Sequence, residues 1–435
     1  MIKSERFFYG WVIVGTGILV TALAYGIRYS FSVMFTSLLQ YFQWSRDSTA
    51  AIFSFQFLAY GITAPIAGAL VDRLGSRKTM SIGAVILASG AAISSFGNEL
   101  WHYYLSLGLF TGTGLVLIGA VPFTRVVTNW FTNKRGLALS LLFFGTGCSH
   151  LLYPLFAFLI EELGWRQTFL VESTIAIVIL LPCVILFVRS RPEEMGLVPD
   201  GIKTGVQMKA KQKVVETVLN ESWVAVDWTL TKAIKTWRFW LLCLSAFSVW
   251  GIAEQLMFTH HIAFAEDVGY SKMYASSVLS MVGMMMAIGA LMGFISDKIG
   301  REVTFTVSTF LLVLGIVAMM LITDASTPGL LYLYAILFGF GLGLGIPALA
   351  AAVTDVFQGR RAGATIGFVW FMFAVGGTIG PWLGGVIFEV SGSYLIAFIL
   401  SAVMAVISCI ALWIAAPRQI RLVAGKMRRD YLPSA

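Results

Sequence analysis

The sequence predicts an all-α membrane protein in which twelve helices cross a bilayer as two pseudo-symmetric halves of six. Three observations lead there. First, 58% of the residues are apolar, only 12% are charged, and the mean hydropathy is +0.84, far from the averages of soluble domains. Second, apolar stretches of about 20 residues, long enough for a helix to cross a ~30 Å hydrocarbon core, recur along the chain. The alternating ten-residue pattern of a membrane barrel is missing. Third, the polar phrase GALVDRLGSRK at 68–78 returns as GFISDKIGRE at 293–302, with Asp72 and Asp297 225 residues apart.

In chain order the spans are expected at 9–39, 48–72, 79–97, 102–130, 136–161, 167–188, 239–265, 273–296, 303–323, 328–355, 362–388 and 393–416. The N-terminal MIKSERFFYGW has no small-residue cleavage site, and its apolar stretch is too long for a signal peptide, so it is expected to open a permanent span. Cys148, Cys183, Cys243 and Cys409 fall inside spans and are poor candidates for disulfides or a metal cluster. The hydrophilic stretch 189–238 separates an N-terminal half, 1–188, from a C-terminal half with a basic tail, 239–435. Its first part, RSRPEEMGLVPDGIKTG, is turn-rich. In VDWTLTKAIKTWRFW, Asp227 is placed to cap a helix with Leu230, Ile234 and Trp237 on one face. That helix either lies at the membrane interface or packs under the bundle.

Basic residues set the orientation, because Lys and Arg gather in cytoplasmic loops. One side, with both termini and the loops after even-numbered spans, holds 25 of the 30 Lys and Arg. The other holds only Arg46, Arg166 and Lys272, and Arg28 and Arg125 lie within spans. Both termini are therefore expected in the cytoplasm. The net charge of +8 is explained by topology and anionic lipid, without a nucleic-acid partner.

Further echoes support duplication: TNWFTNKRGLA from Thr128 parallels TDVFQGRRAGA from Thr354, 226 residues on, and YGIR at 25–28 parallels WGIAE at 250–254. Within the repeated phrase, the first Gly is expected to permit close helix approach and the second to make the turn. The Asp stands at a helix boundary where it can cap a neighbouring helix. These residues resemble the major facilitator superfamily, whose signature G-x-x-x-D-[RK]-x-G-[RK]-[RK] is matched by Gly68, Asp72, Arg73, Gly75, Arg77 and Lys78. The second copy matches through Gly293, Asp297, Lys298, Gly300 and Arg301. The resemblance implies two parallel six-helix halves around a midplane site. It also implies a conformational-switch role for the motif, Asp72 and Asp297 latching the halves on the cytoplasmic side.

A narrower resemblance is to the bacterial monocarboxylate and oxalate/formate transporter group. It rests on YGIRYSFSVMF, GTGLVLIGAVP, WFTNKRGLA, GWRQTF, RPEEMGLVPDG and FTHHIAFAEDVGYS, in that order. It implies a multi-pass protein of a bacterial or archaeal cytoplasmic membrane. Two charges of that group are absent: Ala290 stands near the place of an intramembrane arginine in span 8, and span 11 has no lysine.

Charges within spans then carry the functional expectation, since an ionised side chain at the bilayer centre costs ~2.5–3.5 kcal/mol on insertion scales and persists where it lines water or a partner. Arg28 in span 1 and Glu254 in span 7 are nearly equivalent by the repeat. They are expected either to bind substrate and take up a proton, respectively, or to form a static ion pair. In the first case an arriving anion competes for Arg28, and a proton on Glu254 restores the charge balance. Arg125, toward the cytoplasmic end of span 4, either contacts substrate or snorkels to headgroups. His150 in span 5 is a candidate proton relay or a packing residue. His260, His261 and Glu172 are expected near the outer surface. Tyr25, Tyr29 and Trp250, with Phe368 and Trp370, are candidate cavity contacts or packing anchors.

No clustered Cys/His spacing, phosphate-cradling loop or nucleophile motif is present, so neither an enzyme nor a cofactor or metal is expected. The leading expectation is a proton-coupled symporter of a small organic anion, monocarboxylate-like, working by alternating access as a monomer surrounded by lipid. An exporter of drugs or metabolites, an anion exchanger and a non-transporting membrane sensor are the alternatives on the same fold.

Overall fold

The computed structural model describes residues 8–131, 135–199, 218–357 and 362–423. The expected basic tail, the later part of the linker's turn-rich segment, and parts of the 128–138 and 354–364 echoes lie outside these residues. Among the described residues, twelve helices are long and apolar enough to cross a membrane. Spans 1 to 6 are Gly10–Phe42, Arg46–Leu74, Ser76–Phe96, Leu100–Trp130, Leu137–Leu163 and Trp165–Phe187. Spans 7 to 12 are Trp237–Asp267, Lys272–Ile299, Arg301–Met320, Pro328–Val356, Ala364–Ser391 and Leu395–Gln419. Each falls within a few residues of its expected place. Span 7 is the most enclosed, with 83% of its most apolar window buried against 28% for span 6. The four cysteines are free.

Local irregularities mark the middle of several spans. Span 1 is interrupted at Ser30, between helices Gly10–Tyr29 and Phe31–Phe42. Span 5 tightens to a 3₁₀ turn at Ser149–Leu152, and span 7 widens to a π-helix over Phe247–Glu254. Such departures from α-geometry concentrate at functional positions. The two repeated phrases end spans 2 and 8 identically. Gly75 has φ +82° and Gly300 φ +107°, a backbone region that penalises any residue with a Cβ, so the second Gly of the phrase makes the turn as expected.

The halves meet through three pairs of spans: 1 with 7, 2 with 11, and 5 with 8. Among the described residues, the side-chain bonds that join the halves lie at the middle of the bundle or toward the side opposite the motifs. These are Arg46 to Asp267, Tyr394 and Glu389, Lys272 to Ser37, Ser280 to His150, and Trp382 to Ser54. On the motif side, the side-chain bonds between described residues stay within a half or join it to its own adjoining segment. Asn129 and Trp130 bond the carbonyls of Ser190 and Arg189.

The linker's second part belongs to the C-terminal half. Instead of one amphipathic helix it forms two single turns, Glu221–Val224 and Leu230–Ala233. Trp223 donates to the Val356 carbonyl (2.7 Å), the Trp223 and Trp228 rings pack at 4.6 Å with their planes tilted by 37°, and Leu219 N–H bonds the Ile420 carbonyl. The tryptophans find partners beneath the bundle, and Trp228 is buried. Three further expectations are corrected: His260, His261 and Glu172 do not reach water but are fully buried, because span 7 is enclosed by its neighbours from Ser248 through Ala263 and Glu172 lies near Ser30 of span 1.

Candidate functional site: a buried arginine between the halves

Arg28 sits one position before the tyrosine that ends the first helix of span 1 and is 2% exposed. Its guanidinium carbon lies over the Phe57 ring, 3.9 Å from the centroid, with Tyr29, Tyr60 and Phe53 at 5.4, 5.5 and 5.6 Å. Desolvated contacts of this kind are worth about 2 kcal/mol. Its Nε and Nη2 have no hydrogen-bond partner among the described residues. Buried donors are almost always satisfied by protein, water or ligand, so an unpaired guanidinium edge is a place for an acceptor.

Glu254 ends the π-helical stretch of span 7 and is 7% exposed. Arg28 acts on it electrostatically, but the two form no ion pair, so the static salt bridge is not what holds this conformation. The aromatic faces of span 2 hold the guanidinium instead. Tyr29 is within the field of both charges. Its ring is 4.7 Å from His150 and 6.0 Å from Phe258. The Tyr25 and Tyr60 hydroxyls are 3.5 Å apart. Trp250 stacks on Trp370 at 5.4 Å with the planes 10° apart, one turn before Glu254.

His150 is fully buried where span 8 crosses span 5. A Cβ on Gly283 would land on its side chain, and Ser280 donates to its carbonyl at 2.6 Å. Its Nε2 has no partner among the described residues. The structure thus gathers Arg28, Tyr25, Tyr29, Glu254 and His150 in one region between the halves, with Trp250 beside it. The sequence reading missed Phe53, Phe57 and Tyr60, although their i, i+4, i+7 spacing on span 2 marks one helical face.

Arg125 is elsewhere. It lies in the last part of span 4, 58% exposed, and pairs at 3.8 Å with Asp72, itself 71% exposed. The motif residues occupy the same end of the molecule. Gly68 opens onto free space, whereas a Cβ on Gly293 would strike the Pro347 ring. The close approach expected of the first glycine therefore occurs in the second copy alone, where span 10 passes against it. Arg73 and Arg77 are exposed. Arg301 is 12% exposed and bonds Asp297 (2.5 Å), Ser296 (2.6 Å) and Asp355 (2.9 Å). Asp72 and Asp297 thus pair within their own halves in this conformation.

The arrangement is a polar, charged centre enclosed by two matching bundles, and similarity to known proteins follows it. The sequence matches the Major Facilitator Superfamily profile over residues 17–372 and 290–428. It is 23% identical over 403 residues to monocarboxylate transporter 13 of Rattus norvegicus, covering 90% of this chain and 86% of that one. It is 32% identical over 176 residues to monocarboxylate transporter 11 of Mus musculus, covering 40% of this chain and 39% of that one. Two solved structures share the fold. A bacterial homolog of the human lysosomal transporter Spinster, inward-facing and unoccupied, gives a TM-score of 0.71 at 14% identity, over 96% of this chain and 98% of that one. A point mutant of the nucleoside transporter NupG gives 0.70 at 12% identity, over 93% and 100%. With the duplicated phrase, the twelve spans and a profile match over most of its length, this chain belongs to the major facilitator superfamily of membrane transporters.

Proposed function

We propose that this transporter carries a small organic anion, monocarboxylate-like, together with a proton. The observation that carries the reading is the enclosed Arg28 edge, unpartnered and within electrostatic reach of the enclosed Glu254. A carboxylate docking on Nε and Nη2 makes a bidentate, charge-assisted pair and cancels the field that Arg28 exerts on Glu254. A proton on Glu254 then keeps the loaded centre balanced, so the halves rock without adding net charge to it. A proton alone leaves Arg28 uncompensated. The names of the monocarboxylate transporters among its relatives support the anion class. The basic loops favour a cytoplasmic motif side, which makes this conformation, joined on the opposite side, the one that faces inward.

Uptake of a radiolabelled monocarboxylate panel into proteoliposomes, with and without an inward proton gradient, tests the reading. Wild-type protein is expected to accumulate substrate only with the gradient. Arg28→Lys is expected to impair uptake, because a point charge replaces a planar fork. Glu254→Gln is expected to lose gradient-driven accumulation while keeping substrate exchange. Accumulation by Glu254→Gln, or wild-type uptake indifferent to the gradient, sinks the proposal.

A further inference from the structure

The side opposite the motifs carries three Lys and Arg, and two of them, Arg46 and Lys272, stand 226 residues apart, the repeat offset. Each opens the second span of its half, and each reaches into the other half.

Arg46 grips the C-terminal half. Its two terminal nitrogens donate to the two Asp267 carboxylate oxygens, both at 2.7 Å, and Nη1 also donates to the Tyr394 hydroxyl at 2.8 Å. Its backbone N–H donates to Glu389 Oε1 at 2.6 Å, and its guanidinium covers Phe388 at 3.9 Å from the centroid. Lys272 reaches the opposite way, donating from Nζ to Ser37 Oγ of span 1 at 2.8 Å. Glu266 of its own half is 3.8 Å away, and Glu161 of span 5 acts on it electrostatically.

Behind Arg46 the bonds continue with their directions fixed. His260 Nε2 is 2.8 Å from the Pro381 carbonyl, which only accepts, so Nε2 carries the hydrogen. Nδ1, 3.1 Å from Tyr394, is then the acceptor, and Tyr394 donates to it while accepting from Arg46. Burial raises the pKa of the Tyr394 phenol above its usual range, so it keeps the proton that this chain of bonds needs. Arg46 is tied through Tyr394 and His260 to span 11 at its internal proline.

We propose that Arg46 and Lys272 form a two-point latch that holds this side of the transporter shut. The repeat supplies one cation from each half, and the carboxylates that they contact, Asp267, Glu266 and Glu389, all come from the C-terminal half. Opening this side separates Arg46 from Asp267, Glu389 and Tyr394, and Lys272 from Ser37. The latch accounts for basic residues on a side from which they are otherwise nearly excluded. It rests on alternating access but not on any substrate or on proton coupling.

The test is thiol accessibility, which needs no transport. With the four native cysteines replaced by Ser, Thr36→Cys, a buried position next to Ser37, reports on the closed cleft through a membrane-impermeant thiol reagent applied from this side. Arg46→Gln and Lys272→Gln are each expected to label about tenfold faster, the response to a shift of about 1.4 kcal/mol between the two states. The swapped pair Arg46→Asp/Asp267→Arg is expected to return the rate toward the parent's. Arg46→Lys and Ser37→Ala, milder changes that keep the protein folded, are expected to fall between. Parental labelling rates in both Gln variants or in both milder variants, or a swapped pair as fast as Arg46→Gln, overturns the latch. Failure of gradient-driven uptake alone leaves the labelling result standing and counts against the proposed function instead.

Discussion

The two copies of the repeated phrase are nearly the same in sequence and different in what surrounds them. In the first copy Gly68 faces open space, and Asp72 makes one long, exposed contact with Arg125. In the second, Gly293 lies against Pro347 and Arg301 bonds Asp297, Ser296 and Asp355. The cause lies at two repeat-equivalent positions: Ser76 stands where the other half has Arg301, and Asn129 where it has Asp355. Asn129 uses its amide on the Ser190 carbonyl instead. A shared phrase fixes the turn in both halves, but its partners decide whether it is a fastened joint or a loosely held carboxylate. The first copy is the more exposed and less bonded of the two.

The largest expected effect that sharpens this contrast is Arg301→Gln. It takes from the largely buried Asp355 the cation that hydrogen-bonds it, leaving only the field of Arg421, at a cost of about 2–3 kcal/mol, read as a lower unfolding temperature in detergent. Asp72→Asn removes an exposed pair worth less than about 1 kcal/mol. Equal destabilisation by the two breaks the comparison. Next, Gly293→Ala is expected to cost about 1–3 kcal/mol by driving a methyl into Pro347, while Gly68→Ala stays within about 0.5 kcal/mol. The same thermal assay checks both, and a large loss at Gly68 contradicts the open surroundings of that residue. The smallest effect is functional. Asp72→Asn is expected to change the transport rate several-fold with little change in equilibrium substrate affinity, because Asp72 lies at the motif end and not beside Arg28. Loss of binding in the folded variant contradicts that placement. As a physical check, high salt should blunt the difference between Asp72→Asn and its parent, since exposed pairs are screened.

How much of this is legible in the chain differs from residue to residue. The twelve spans and the turn at Gly75 and Gly300 follow from local sequence, because a bilayer demands runs of fixed length and a positive φ demands glycine. Arg28 and Glu254 are legible as charges in apolar helices. Their environment is not: Arg28 packs over the Phe57 ring, and no ion pair forms between the two charges. Nor can span 7 be recognised as the enclosed helix that buries His260 and His261, since an apolar run reads the same against lipid and against protein.

By itself the sequence determined the class of the molecule, its duplication, the place of each span and the uneven distribution of its basic residues. Each of these depends on composition, length or a pattern within about one helix. Only the tertiary structure decided which charges meet. Arg46 and Lys272 are related by the repeat, yet Asp267 and Ser37 are their partners because spans 1, 2, 7 and 8 converge on one side of the membrane. Convergence of that kind comes from how two bundles pack, and single-chain patterning carries no distance between residues in opposite halves of the chain.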